Sequence, residues 1–324
     1  MTSALNDIRS LDPAESSAGL VPEDEDVLAA LFENWDRYAE IGTMLRPISP
    51  LAISLLRLDP ESPTPLRDLA KIIESDPILA ARMLGLANSV VFAGSSKPVF
   101  KIGDAITRLG ADTVLTAAFA QLAAQWLRGV SRTTDASLLH DLWFEYLVTA
   151  HSAREIARRL PDDQVEPALA YAAGLLHDIG TIALICAQPE PMSRFVRSGY
   201  GFGGPLYPRF VRAHTLLGAA ILHRWRTPGE IAVVAACHHE QPLLSGALAV
   251  TVFLADHLHL AVLDHDRALF ENPGTLVQGC FNPAGERLDA ALATLDVADQ
   301  MESIVGRVAA DCQAIELLAK AIRL

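Results

Sequence analysis

Ala173-Gly174-Leu175-Leu176-His177-Asp178-Ile179-Gly180-Thr181 is the stretch on which the reading of this chain turns. A histidine and an acid stand side by side inside an apolar run, and a glycine follows two residues on. Burying such a pair requires hydrogen bonds, an ion partner or a metal, because an unpartnered polar group in the interior costs free energy. Adjacent helical residues point about 100° apart. One ion can reach both only over a helix end or between neighbouring helices, and Gly180 is where the helix is expected to end.

The surrounding pattern is helical. Pro167 opens the segment that delivers the pair, and 181–186 continues as an apolar turn. Upstream, Leu142, Tyr146, Ala150, Ala153 and Ile156 mark one face of a long helix over 138–160. Downstream, helices are expected over 210–225, 228–239 and 245–263, with an ordered loop over 199–208.

The first third has clear punctuation. Leu28, Leu31 and Trp35 recur at helical spacing, and Leu51, Leu55, Leu56 and Leu58 mark a second helix. Thr64-Pro65 and Asp76-Pro77 each read as a helix start, with an acceptor at the cap and a proline where a missing N–H costs nothing. Asn88-Ser89 ends the second of these, 93–98 is a loop, and Gly110 caps a short helix over 102–109. The helix after it, 112–127, holds no Arg or Lys. That argues for core packing over a helix-turn-helix reader of DNA.

No segment reads as a strand, so the fold class is all-α, in four parts. Residues 1–26 are a flexible acidic leader, 27–130 an N-terminal helical part, 131–263 a second helical part, and 264–324 a loop and helical extension. Two amphipathic helices are expected in the extension, marked by Leu288, Leu292, Leu295, Val297 and Met301, then Ile304, Val308, Ile315, Leu318 and Ile322. They pack on the core or form a homodimer.

The 324 residues carry a formal charge of -13, which argues against nucleic acid as a partner, since phosphate binding needs a basic surface. Cys186, Cys237, Cys280 and Cys312 form no CxxC pair, which argues against a thiolate zinc site and suits a reduced, cytoplasmic setting. No secretory signal opens the chain, and no apolar run reads as a bilayer span, the nearest being 247–263.

Eight of the ten histidines fall between His177 and His265. A metal site in a helical protein needs imidazoles and carboxylates converging from several helices. The candidates are His177, Asp178, His214, His238, His239 and Asp256. His223, His257, His259 and His265 read as hydrogen-bonded core residues or exposed ones.

The stretch AGLLHDIGTIAL resembles the signature of the HD superfamily of metal-dependent phosphohydrolases. Residues 68–89, DLAKIIESDPILAARMLGLANS, and 102–110, IGDAITRLG, resemble that of the HDOD family, HD-related helical modules of bacterial signalling proteins. The resemblance spans roughly 47–260. It implies a two-part helical fold, with an HDOD-specific part over 47–130 and an HD-like part over 135–260. His177 and Asp178 match the HD pair, His214 a further ligand, His238-His239-Glu240 the paired-His motif, and Asp256 the last acid.

The chain also departs from the pattern. Glu145 stands after Leu142-Trp143-Phe144 where active members carry a histidine, and Glu145 is accordingly a candidate seventh ligand; His151 lies off its face. Thr181 replaces a lysine, and no Gly-Tyr-Pro follows Glu240. The expectation is a non-catalytic regulatory module that contacts signalling proteins, with a divalent metal (Fe, Mn, Zn or Mg) or a nucleotide or cyclic dinucleotide as ligand. The alternative is a metal-dependent phosphohydrolase using the same His/Asp cluster.

Overall fold

Every element among the described residues of the computed structural model is a helix, and helices begin at Pro65, Pro77 and Pro167, where the signals named above place them. It describes residues 22–34, 36–44, 51, 54–55, 58, 65–93, 97–111, 113–115, 117–118, 121–122, 136–161, 164–200, 204–239, 245–264 and 285–309. Much of the expected leader and parts of the helices expected over 51–58 and 112–127 lie outside them, as do 131–135, Glu240, His265, Cys280, Cys312, the end of the tail and the side chain of His259. No strand occurs among the described residues.

The chain forms two units, 1–46 with 130–312, and 47–129 with 313–324. In the second unit, α3 (Pro65–Glu74), α4 (Pro77–Ala87), α5 (Val90–Ala93) and α6 (Ile102–Leu109) pack on one another. Leu69, Ile73, Leu79, Met83, Ala105 and Ile106 supply the core. Asp76 caps α4 by accepting hydrogen bonds from the N–H groups of Ile78 (2.8 Å) and Leu79 (2.9 Å). Gly110 closes α6 at φ 82, a conformation that favours glycine.

Asn88 ends α4 and then holds the returning chain. Its amide donates to the Val99 carbonyl and its oxygen accepts from the Val99 N–H, both at 2.8 Å. Arg108 donates to the carbonyls of Ala87 (3.1 Å) and Lys97 (2.6 Å). Asp76, Asn88 and Arg108 of this motif thus hold the backbone. Asp76→Ala is expected to cost about 1 kcal/mol. Hydrogen exchange of the α4 amides should accelerate about fivefold, and an unchanged rate would show the cap to be idle.

The first unit holds α1 (Pro22–Glu33), α2 (Asp36–Met44), α7 (Ala136–Ala157), α8 (Pro167–Leu176), α9 (Ile179–Ala187), α10 (Pro189–Arg197), α11 (Tyr207–Arg224), α12 (Gly229–Cys237), α13 (Ala247–Asp264) and α14 (Gly285–Leu295). Helix α7 packs on α8 and α13, α9 on α11, α11 on α12, and α14 on α13. At Gly174 in α8, a Cβ would lie 2.9 Å from the Ala150 Cα, so glycine lets α7 and α8 come close.

Two expectations about the N-terminal region are corrected. Residues 27–46, expected to belong with the N-terminal helical part over 27–130, pack in the other unit: α1 on α10 and α11, and α2 on α9 and α11. Leu28, Leu31, Phe32 and Ile41 bury their stripe there, with the Phe32 ring 5.6 Å from Phe195 and 5.8 Å from Phe210. The leader expected over 1–26 overlaps a helix, since α1 starts at Pro22. Asp24 is buried and accepts two hydrogen bonds from Arg194, at 2.6 and 2.7 Å.

A third correction concerns apolar length. The 21 residues Pro167–Ala187 are long and apolar enough to cross a bilayer by length and composition, but 83% of the tested window is buried inside the fold. The turn at 177–178 divides the stretch into α8 and α9.

Candidate metal centre

The helix carrying the His-Asp pair breaks at the pair itself. His177 caps the C-terminus of α8 and Asp178 stands at the N-terminus of α9. The break lets side chains of adjacent residues serve one region, the geometric condition set by their helical divergence. His238 and His239 occupy the same kind of position, in the turn ending α12. His214 projects from the middle of α11 and Asp256 from α13.

Gly180 does not end a helix, as its place after the pair suggested. It lies in the first turn of α9, where an added Cβ would collide with the backbone carbonyl of His214. Its use is close approach: the α9 backbone rests against α11 at the turn that carries His214.

The structure brings His177, Asp178, His214, His238, His239 and Asp256 together. His177 Nε2 lies 3.3 Å from Asp256 Oδ1, and His214 Nε2 lies 3.3 Å from Asp178 Oδ1. The rings of His177 and His238 are 4.9 Å apart, those of His214 and His239 5.0 Å, and those of His238 and His239 4.2 Å. Among the described residues, His214, His238 and His239 offer ligand atoms that all lie within 4.8 Å of one another.

Glu145, the expected seventh ligand, stands half-buried on α7 next to Tyr146. Its charge reaches Tyr146 together with that of Asp178, and Tyr200 together with those of Asp178 and Asp256. His151, on the same helix, engages Arg154 at 3.1 Å. His257 bonds the Phe253 carbonyl at 2.8 Å and His223 is exposed.

Backbone carbonyls set the histidine tautomers. The Nδ1 of His177 lies 2.8 Å from the Gly174 carbonyl, that of His214 2.8 Å from Phe210, and that of His238 3.0 Å from Ala235. A carbonyl accepts only, so each Nδ1 carries the proton and each Nε2 faces inward. This is how metal-ligating histidines are usually held. The Nε2 atoms of His214 and His238 are buried and have no hydrogen-bond partner. Leaving an acceptor buried and unpaired costs about 1–3 kcal/mol, and a cation removes that cost.

The electrostatics suit a cation. Burial, with the charges of neighbouring histidines, holds His238 and His239 well below the usual imidazole range. Burial also lowers His214, against the pull of Asp178. These imidazoles are therefore neutral, as ligands must be. His177 differs. Burial pulls its pKa down, but the charge and hydrogen bond of Asp256, with Asp178 and the Gly174 carbonyl, hold it up at about 9.

A metal at the His177 Nε2 must displace that proton. Apparent affinity should rise about tenfold per pH unit up to about pH 9 and level off above it. Titration calorimetry in buffers of different ionisation enthalpy should show about one proton released per ion near neutrality; no release would contradict it. For the metal-free fold the sign reverses. The folded pKa lies above the unfolded one, so this stabilisation is complete below about pH 6.5 and is lost as pH rises through about 9.

Several contributors escaped the sequence reading. Tyr146, assigned to an apolar stripe, donates to Asp178 Oδ2 at 3.1 Å. Thr181, noted only as a missing lysine, donates to Asp178 Oδ1 at 2.9 Å. Phe210 stacks on His214 with ring centroids 4.4 Å apart, and Tyr200 stacks on Phe210 at 5.2 Å. Tyr200 is held at φ 60, a strained value for a residue with a side chain. A hydroxyl on a buried stripe needs a partner, and that was the available signal for Tyr146.

Comparisons with known proteins agree with this architecture. An uncharacterized protein of Treponema pallidum (strain Nichols) is 26% identical over 213 residues, 63% of this chain and 40% of that protein. The chain thus spans less than half the length of that curated relative. A proposed signal transduction protein from Marinobacter aquaeolei VT8 matches with a TM-score of 0.62 at 21% identity, over 97% of this chain and 69% of that one. A proposed phosphohydrolase from Shewanella amazonensis SB2B matches with a TM-score of 0.60 at 19% identity, over 88% of this chain and 97% of that one. At such identities the likeness is one of fold. The HDOD domain model matches residues 45–241, and the chain belongs to the HDOD domain family.

Proposed function

We propose that this chain is a signalling module that holds a divalent transition metal in its HD-like half and acts through contacts with other proteins. The observation that carries the metal is the pair of orphaned Nε2 atoms on His214 and His238, buried at 0% and 1% exposure, with each Nδ1 committed to a carbonyl. Imidazoles and carboxylates together favour Zn, Fe or Mn; Mg prefers oxygen ligands and retained water. Cys186 and Cys237 are free thiols, in keeping with work in a reducing cytoplasm.

The regulatory reading is preferred over the catalytic one on charge. The strongest charges acting on His177, His214, His238, His239 and Tyr200 come from Asp178, Asp256, Glu145, tyrosines and other histidines. Among the described residues, no lysine or arginine is one of these leading contributors. A phosphoester or nucleotide site ordinarily presents such a cation to the phosphate.

The second reading is phosphoester hydrolysis, favoured by the presence of both Asp178 and Asp256 beside the histidines. A bound metal would supply Lewis acidity toward a phosphoryl oxygen. This chain's residues would hold and orient the ligand shell: His177 through Asp256, and Asp178 through Tyr146 and Thr181. Assay of the Mn-, Fe- and Zn-loaded protein on bis-p-nitrophenyl phosphate, nucleotides and cyclic dinucleotides separates the two. Turnover abolished by His177→Ala would favour the enzyme, whereas bound metal without turnover is the outcome expected here.

A further inference from the structure

We propose that Tyr146 and Thr181 are positioning residues that restrict Asp178 to a one-sided ligand, presenting Oδ1 to a single metal ion on the His214 side. The inference rests on the reading of the His/Asp cluster as a metal site and specifies how one ligand in it is held.

Both carboxylate oxygens of Asp178 already accept a hydrogen bond. Thr181 Oγ1 donates to Oδ1 at 2.9 Å. The Tyr146 hydroxyl lies 3.1 Å from Oδ2 and 3.2 Å from the carbonyl oxygen of Asp178 itself. The two donors come from different helices, α7 and α9, and approach different oxygens, so together they fix both the plane and the rotation of the carboxylate. Tyr146 and Thr181 are 1% and 0% exposed, so bulk water does not compete for either bond.

The oxygens are not equivalent after this. Oδ1 lies 3.3 Å from His214 Nε2, within the group of imidazoles. Oδ2 faces the Tyr146 hydroxyl. A carboxylate that bridges two ions gives an oxygen to each. Here each oxygen accepts one hydrogen bond and keeps a second lone pair, and it is Oδ1 that also lies 3.3 Å from a candidate ligand imidazole, which directs it to the ion on the His214 side. The Tyr146 ring also meets His177 edge-on, with centroids 5.7 Å apart and planes at 73°. One side chain thus orients both members of the His-Asp pair.

Thr181 has a parallel consequence. A lysine at this position could extend past Asp178 toward an anion. Threonine is too short for that, and its hydroxyl turns back onto the carboxylate. The position thereby serves the carboxylate of Asp178.

The test uses the full chain, stripped of metal and titrated with Co(II), followed by visible absorption and by zinc competition. Wild type, Tyr146→Phe and Thr181→Val are compared, and the melting temperature of each is recorded with and without metal. The wild type is expected to take up one equivalent. Each variant should bind about 10–100-fold more weakly, the usual cost of losing an outer hydrogen bond to a ligand. Each should also shift the Co(II) absorption bands, which a purely structural role would leave in place. Unchanged affinity and bands in both variants, with only a lowered metal-free melting temperature, would overturn the proposal while leaving the metal site intact. Two equivalents of similar affinity in the wild type would overturn the one-sided ligand. A wild type that binds no Co(II) or zinc would remove the proposal and the metal reading beneath it.

Discussion

A Gly180→Ala chain is expected to lose about 3 kcal/mol of stability and most of its metal affinity. Overpacking usually costs about 1–3 kcal/mol, and the upper end applies when nothing in contact can move aside. The added methyl would collide with the His214 carbonyl oxygen and crowd the Gly218 nitrogen, 2.9 Å away. Both are backbone atoms of α11. Relief therefore requires α9 and α11 to separate as bodies. Asp178 sits at the start of α9 and His214 on α11, so separation would pull apart a contact now at 3.3 Å. The gain in helix propensity, about 1 kcal/mol, is too small to offset this. Thermal unfolding with and without metal checks the result. A variant with the wild-type melting temperature and the wild-type metal-induced shift would show that the helices do not meet as described.

His214→Ala should abolish tight metal binding while leaving a folded chain. Structural zinc sites of four ligands bind with about 10–16 kcal/mol, so one ligand is worth roughly 3 kcal/mol, or a hundredfold. His214 has a specific claim to that role. It is fully buried, its ring is clamped between the Phe210 carbonyl and the Phe210 face, and its Nε2 finds no hydrogen bond. At a metal concentration a hundred times the wild-type Kd, the wild type gains about 2.7 kcal/mol of stability and the variant only about 0.4 kcal/mol. The readout is the metal-dependent shift in melting temperature. Equal shifts in both proteins would exclude His214 as a ligand.

Local signals in the sequence were readable because each acts within a few residues. Asp76-Pro77 specifies a helix start through two neighbouring N–H groups, and Gly110 closes α6 through its own φ. The paired residues His177-Asp178 and His238-His239 announced a geometric demand that helix ends meet. What could not be read depends on which faces meet. The stripe of Leu28, Leu31 and Phe32 specifies that α1 buries one side, but nothing in its spacing names α10 and α11 as the partners.

Gly180 shows the same limit at one residue. Its sequence context fits a helix cap, and only the approach of α11 reveals why a side chain is excluded there. Glu145 and Tyr146 illustrate it at the site. A resemblance to the ligand pattern picks out the acid, while packing gives the bond to Asp178 to the neighbouring hydroxyl.

The most direct test of the metal centre is elemental analysis of the purified chain after reloading with zinc, iron or manganese, beside a His214→Ala/His238→Ala double variant. The account predicts about one equivalent of transition metal in the wild type and none retained by the variant, with both chains equally helical. A wild type that retains no metal, or a double variant that retains as much, would contradict it.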